Sequence, residues 1–171
     1  CTTTGFATAD TSVWPAFSIL ILLYLSIQGA CSGSTTGGLK ADRVLILYKT
    51  LKAQLVKLQH PSSVVQIKVG DRRIESDVIL GVALFASLYL FVIVFGAIVV
   101  AAFGLDFTDA FTSSVSMTAN IGPAFGSCGS LENYSHFPGV VKFFFSLQML
   151  FGRLEIYPIL VMFSIFRIRR R

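Results

Sequence analysis

Long apolar runs alternate along this chain with short stretches of glycine, serine and charge. The first run is WPAFSILILLYLSIQGA, residues 14–30. Trp14 suits the headgroup level of a bilayer, and Pro15 suits a first helical turn. The run stops at CSGSTTGGLK, residues 31–40, which opens with eight small, polar or glycine residues. From Leu39 to Gln59, Val44, Leu47, Leu51, Leu55 and Leu58 recur at helical spacing with Lys49, Lys52 and Lys57 among them. That pattern predicts a basic amphipathic helix, ended by His60-Pro61. VVQIKVGDRRI then alternates around Gly70-Asp71 and predicts a short β-hairpin outside the membrane.

Residues 79–103 are 25 residues without a charge. As a helix they extend roughly 37 Å, enough for a ~30 Å hydrocarbon core with some tilt. Phe107 to Ala119, FTDAFTSSVSMTA, has helical character but is too short and too polar to span. It runs into NIGPAFG and a loop rich in Gly and Ser. Phe137 to Phe166 is another long apolar segment, interrupted by Gly152-Arg153, Glu155 and Pro158.

Composition places this pattern in a membrane. Of 171 residues, 54% are hydrophobic and 13% charged, whereas soluble domains carry about a quarter charged residues. The net charge of +5 does not point to nucleic acid, because the basic residues are segregated. Eight of 14 lie between Lys40 and Arg73, and four close the chain as Arg167, Arg169, Arg170 and Arg171. Under the positive-inside rule both regions are cytoplasmic. Segment 104–137 is then outside, where Asp106, Asp109 and Glu132 meet no Lys or Arg, and Asp10 shares that side. An acidic mouth raises local cation concentration, although unequal charge across a membrane is also ordinary topology. Cys1, Cys31 and Cys128 have neither metal-ligand spacing nor the look of a disulfide framework. The chain opens on Cys1 without a charged n-region or cleavage site, in the middle of a pattern, and reads as part of a longer protein.

The two ends echo each other. TTTGF precedes Pro15, and Gly29 follows Pro15 by fourteen residues; ANIGP precedes Pro138, and Gly152 follows Pro138 by fourteen. Each copy reads as a glycine loop, a proline-started helix and a glycine break at mid-membrane. With the segments before the second copy, the unit is helix, short re-entrant helix, loop, helix. A short helix ending at depth points its partly negative C-terminus toward the loop, which favours cations there. Carbonyls turned inward replace a cation's hydration shell, and Gly5 and Gly122 supply the backbone freedom for such a turn. The competing reading makes TTTGF and NIGPAFG ordinary turns outside the membrane.

At this point the residues resemble a family, the potassium-translocating subunits of the Trk/Ktr/HKT type, in particular the bacterial TrkH type. The matching pieces are TTTGFATAD, GACSGSTTGGLKADRVLILYK, DAFTSSVSMTANIGPAFG and MLFGRLEIYPILVMF, in family order over nearly the whole chain. The resemblance implies an all-α integral membrane fold, with helix–pore helix–helix repeats around a pseudo-fourfold cation pore; the predicted hairpin adds a small cytoplasmic β element. Residues 1–61 would hold the filter loop and broken inner helix of a third repeat plus a cytoplasmic helix. Residues 62–77 would be the hairpin linker and 78–171 a complete fourth repeat. Within it lie an outer helix at 78–104, pore helix at 107–119, filter at 120–126, inner helix at 137–166 and a basic tail.

Carried over by the same resemblance, the filter backbone would be Thr3, Thr4 and Gly5, with Thr2 beside it, and Asn120, Ile121 and Gly122. Potassium, the transported ion, would bind there. Ile121 and Pro123 depart from the TTGF form, a divergence typical of the family's fourth repeat. Gly29, Ala30, Cys31, Ser32, Gly33, Ser34, Thr35, Thr36, Gly37 and Gly38 match the family's intramembrane gating loop. Small residues leave exchangeable backbone polar groups in a wet cavity, and glycines ease movement between conformers. A flexible linker is the alternative. A phosphate loop is disfavoured because no Lys-Ser/Thr follows the glycines.

Arg153 lies near the middle of an apolar segment, where an arginine costs roughly 2.5–3.5 kcal/mol. The resemblance places it against the gating loop; a structural contact, with poor helical geometry for pairing to Glu155, is the alternative. Lys142 reads as snorkelling at the outer interface. The Phe143-Phe144-Phe145 run reads as lipid-facing or packing surface. The family also implies a homodimer of the full-length subunit and a cytoplasmic nucleotide-binding regulatory ring of the TrkA/KtrA kind. Anionic lipid accounts equally for the basic helix. The expected location is the inner, cytoplasmic membrane, and the expected role is transport without enzymatic chemistry. A secondary transporter of another solute and a non-conducting assembly subunit are the rival readings.

Overall fold

The computed structural model describes residues 5–31, 33–34, 37–60, 67–69 and 72–154. Its helices are α1 (Ala16–Gln28), α2 (Ala41–Gln59), α3 (Ser76–Ala102), α4 (Phe107–Ala119) and α5 (Gly139–Arg153). Between α2 and α3, β1 (Lys68–Val69) and β2 (Arg72–Arg73) form the expected antiparallel hairpin, pairing Lys68 with Arg73 and Val69 with Arg72. Lys49 of α2 donates its Nζ to the Lys68 carbonyl at 2.7 Å, which fastens the hairpin to the basic helix. Single 3-10 turns occupy Thr11–Val13 and Gly126–Cys128.

The two proline-started helices begin alike. Pro15 (φ −58°, ψ 145°) and Pro138 (φ −57°, ψ 146°) precede α1 and α5 in the same extended conformation. The Pro15 carbonyl accepts from Ser18 and Ile19, and the Pro138 carbonyl accepts from Val141 and Lys142, the same three-and-four offset. Their ends differ, so the expected glycine break holds in the first copy only. Gly29 (φ +67°) ends α1, whereas Gly152 remains helical within α5. A Cβ at 152 would strike the Thr118 carbonyl of α4, so this glycine serves close helix approach and not a turn.

α3 is long and apolar enough to cross a bilayer. Its buried residues, among them Phe85, Tyr89, Ile93, Gly96 and Val100, follow one helical stripe. Leu80, Leu84, Phe91, Val94, Phe95 and Ile98 are exposed around the rest of the helix. An apolar surface of that extent is suited to lipid tails, not to water.

The interior holds two apolar clusters, one around Val100, Val141 and Phe145 and one around Phe85, Tyr89 and Ile93, with a polar helix between the surrounding elements. α4 packs against α1, α3 and α5, and Thr112, Ser113, Ser114, Ser116 and Thr118 are all buried. Each of these five hydroxyls donates to a backbone carbonyl: Thr112 to Thr108, Ser113 to Asp109, Ser114 to Ile93, Ser116 to Pro123 and Thr118 to Ser114. Because Ser114 and Thr118 spend their protons this way, their oxygens accept from the Gln148 amide, at 2.6 and 2.8 Å. Gln148 of α5 is itself buried and also reaches the Ser114 carbonyl at 3.2 Å. One side chain therefore ties α5 to α4, while Ser114 ties α4 to α3.

Gly96 makes this junction sterically feasible. A Cβ there would overlap Ser114 Oγ and lie 2.5 Å from Gln148 Nε2. Gly96→Ala is expected to destabilise the fold by about 1–3 kcal/mol through overpacking, seen as a lower unfolding temperature in detergent. Gly139→Ala, at a helical position with nothing within 4 Å of a new Cβ, should show no comparable loss.

Candidate ion site

The site is built on the C-terminal end of α4. Asn120 adopts the left-handed conformation (φ 58°, ψ 42°) there. Its N–H donates to the Met117 carbonyl at 3.1 Å, and the Ile121 N–H donates to the Ser116 carbonyl at 3.0 Å. This Schellman pattern satisfies inner carbonyls of the last turn and leaves Thr118 and Ala119 at the partly negative helix end. The Asn120 side-chain amide donates to the Met149 carbonyl at 3.1 Å, pinning the turn to α5. Among the described residues, the backbone carbonyls of Asn120 and Ile121 accept no hydrogen bond.

Gly122, at φ +101°, then reverses the chain. Residues 123–127 run back along α4, held by side chains at positions 109, 112 and 116, a spacing that shares one helix face. Ser116 Oγ donates to the Pro123 carbonyl at 2.6 Å, and Thr112 Oγ1 accepts the Phe125 N–H at 3.3 Å. Asp109 accepts both from Ser127: the N–H at 3.0 Å and the hydroxyl. Asp109 is thus buried and committed to the loop, and does not join Asp106 and Glu132 on the exposed acidic surface.

Tyr134 approaches from the other side, ahead of α5, and its hydroxyl donates to the Gly122 carbonyl at 2.8 Å. The ring packs on Phe137 and edge-on to Phe145. Burial, with Cys128 and Asp109 nearby, holds its phenol well above the ordinary range, so it remains a donor. Tyr134 and the 109/112/116 face were not picked out by sequence reasoning. The signal available was polar spacing of three and four on a helix; nothing in the sequence pointed to Tyr134.

The segment that begins at Gly5 meets the turn after α4. A Cβ on Gly5 would lie 2.8 Å from the Ile121 carbonyl and 3.4 Å from Pro123 Cδ, so the two loops touch through this glycine. Thr2, Thr3 and Thr4 lie outside the described residues. Farther out, Ser130 Oγ accepts the Thr11 N–H at 3.1 Å and donates to the Ala9 carbonyl at 2.9 Å, a second tie between the segments.

The break after α1 also reaches the end of α4. Its neck is closed by two backbone bonds, Leu39 N–H to the Ile27 carbonyl (3.1 Å) and Ala41 N–H to the Ala30 carbonyl (3.0 Å). Gly29 and Gly38 touch at the neck, where a Cβ on Gly38 would be 3.1 Å from Gly29 Cα. Gly37 is buried against α4, and its Cβ would lie 2.9 Å from the Ala119 carbonyl oxygen and 3.2 Å from that of Thr118. Within the loop, Ser34 N–H donates to the Cys31 carbonyl, and Cys31 and Gly33 are exposed. Ser32, Thr35 and Thr36 fall outside the described residues.

Gly152 presses on the same Thr118 carbonyl from α5. Loop and α5 therefore converge on the end of α4 through Gly37 and Gly152. Arg153 follows directly, exposed in the last turn of α5, with no hydrogen bond or ion pair to the loop among the described residues. Glu155, Pro158 and the basic tail lie outside them.

A family model described as "TrkH: Cation transport protein" matches residues 1–168. The chain belongs to the TrkH cation transport family. It is 37% identical over 163 residues to the Trk system potassium uptake protein TrkH of Escherichia coli K12, covering 95% of this chain and 33% of that protein. It is 35% identical over 164 residues to the Trk system potassium uptake protein TrkI of Halomonas elongata, again covering 95% and 33%. The crystal structure of the potassium transporter TrkH from Vibrio parahaemolyticus superimposes with a TM-score of 0.85 at 35% identity, over 94% of this chain and 34% of that one. The TrkH-family chain thus spans about a third of the length of these relatives, and its fold is that of an all-α membrane protein.

The two described cysteines of this TrkH-family chain should differ in reactivity. Cys31 is exposed in the break, whereas Cys128 is buried and its thiol is pushed up to about 11, chiefly by that burial and further by Asp109 and Glu132. N-ethylmaleimide at neutral pH should label Cys31 at least tenfold faster, because well under 1% of Cys128 is then thiolate. Peptide mass spectrometry reads both rates, and Cys128 labelling should rise only as pH climbs toward its raised pKa.

Proposed function

We propose that the full-length protein carrying this sequence takes up potassium across the cytoplasmic membrane through a carbonyl-lined filter. The observation that supports this reading is the meeting of Gly5 with Ile121 at the end of α4, in a chain of the TrkH family. In this reading Thr3, Thr4, Gly5, Asn120, Ile121 and Gly122 contribute backbone carbonyls, and the α4 dipole adds a favourable potential for a cation. The Gly122 carbonyl contributes least directly, since one lone pair is already held by Tyr134. The protein acts as a transporter, with potassium as its cargo.

The 29–38 loop is the gate. It presents backbone polar groups beside the Thr118 and Ala119 carbonyls, and its narrow glycine neck lets it move without disturbing α1 or α2. Arg153 stands one residue beyond Gly152, from where its guanidinium repels cations or holds loop carbonyls as the loop shifts. Residues 1–61 and 78–171 supply parts of the third and fourth repeats of a pseudo-fourfold pore. The full-length subunit forms a homodimer, and its basic cytoplasmic helix faces a nucleotide-binding regulatory ring of the TrkA/KtrA kind or the anionic lipid around it.

Rubidium uptake into liposomes carrying the full-length protein tests this, with and without residues 31–38. The deletion should raise flux about tenfold or more, the effect of removing a barrier of about 1.4 kcal/mol, and excess potassium should still block it. Unchanged flux reduces the loop to a linker. Absence of rubidium flux in both forms, in protein shown to be folded and inserted, rejects the potassium reading in favour of another solute or an assembly role.

A further inference from the structure

The filter segment after α4 is held on two sides by different elements. On one side, the Ser116, Thr112 and Asp109 face fixes residues 123, 125 and 127, all beyond the turn. On the other, the Tyr134 hydroxyl reaches the turn at the Gly122 carbonyl, while the Asn120 amide ties the start of the turn to Met149. The position of Tyr134 is set by the ring of Phe137, just ahead of α5, at 5.4 Å and that of Phe145 within α5 at 6.0 Å. Gly122 has no Cβ and nothing within 4 Å of where one would stand, so side-chain packing does not fix it. Ser116 holds the Pro123 carbonyl on one side of the peptide following Gly122, and the Tyr134 hydrogen bond restrains its own carbonyl on the other. Gly122 Cα joins that peptide to the one bearing the Ile121 carbonyl, which touches Gly5, and a glycine's permissive dihedrals leave the two units free to reorient once the outer one is released.

We infer that Tyr134 is a positioning residue for ion discrimination: its phenol, bonded to the Gly122 carbonyl, fixes the spacing of the Asn120 and Ile121 carbonyls that replace potassium's hydration shell. This rests on the potassium reading above. A filter with a loosened turn can contract around a smaller ion, so losing the phenol lowers the preference for potassium over sodium more than it lowers total flux.

The test uses the full-length protein and its Tyr134→Phe variant in liposomes, comparing block of rubidium uptake by potassium and by sodium. Removing one neutral hydrogen bond should narrow the ratio of the two blocking concentrations by roughly threefold to tenfold. A lost packing contact alone would change stability or total uptake, not this ratio. A folded variant with an unchanged ratio overturns the inference while leaving the potassium reading intact. A wild-type protein that takes up no rubidium overturns both. If Tyr134→Phe does not fold, 3-fluorotyrosine at position 134, which keeps and strengthens the donor, should match or exceed the wild-type ratio; a narrower ratio overturns the inference.

Discussion

Backbone that leaves a buried helix must find hydrogen-bond partners within the protein, and the Ser/Thr/Asp face of α4 supplies them. Each unpaired polar group in hydrocarbon costs several kcal/mol. Chain reversal at Gly122 creates a strand-like return that would otherwise be unsatisfied. Ser116, Thr112 and Asp109 meet it in register, and Tyr134 meets the turn. The rest of the arrangement follows. A helix whose side chains are spent on its own loop must be enclosed on its remaining faces, and α3 and α5 enclose it through Ser114 and Gln148.

This produces a fold that is apolar outside and carries a polar helix among its apolar clusters inside. Small hydroxyl residues of α4 are buried beside apolar clusters, and Leu84, Phe91, Val94 and Ile98 of α3 face outward. Close helix approach replaces hydrophobic burial as the source of specificity. Gly96 admits Ser114 and Gln148, and Gly152 admits the Thr118 carbonyl. The same device brings Gly37 to the Ala119 carbonyl, so the interrupted stretch after α1 touches the end of α4 from which the Asn120–Gly122 turn leaves. On the proposed reading, gate and filter meet at one helix terminus.

The proline repeat has a physical consequence beyond symmetry. Both copies start a helix from an extended proline with nearly the same dihedrals, but the partners at their far ends differ. Gly29 meets Gly37 and Gly38 of its own loop, and the helix ends; Gly152 meets α4, and the helix continues through it. One repeated sequence feature thus serves as a break in one place and as a packing notch in the other.

Much of the architecture was legible in the chain because it depends on local chemistry. Periodicity placed α2 and the hairpin, the charge-free run placed α3, and length and polarity separated α4 from the spanning segments. The motifs TTTGF and NIGPAFG marked both loops, since a reversal of backbone direction needs glycine at fixed positions. Contacts between distant segments were not legible. Nothing in FTDAFTSSVSMTA says that Asp109 turns inward onto Ser127, and nothing in LENYSHF says that Tyr134 finds Gly122. Residue type at each position was a local matter. Whether Gly152 would break a helix or seat one, and which carbonyl each hydroxyl would reach, was decided only when α4 was enclosed and its hydrogen-bonding capacity had to be met from within.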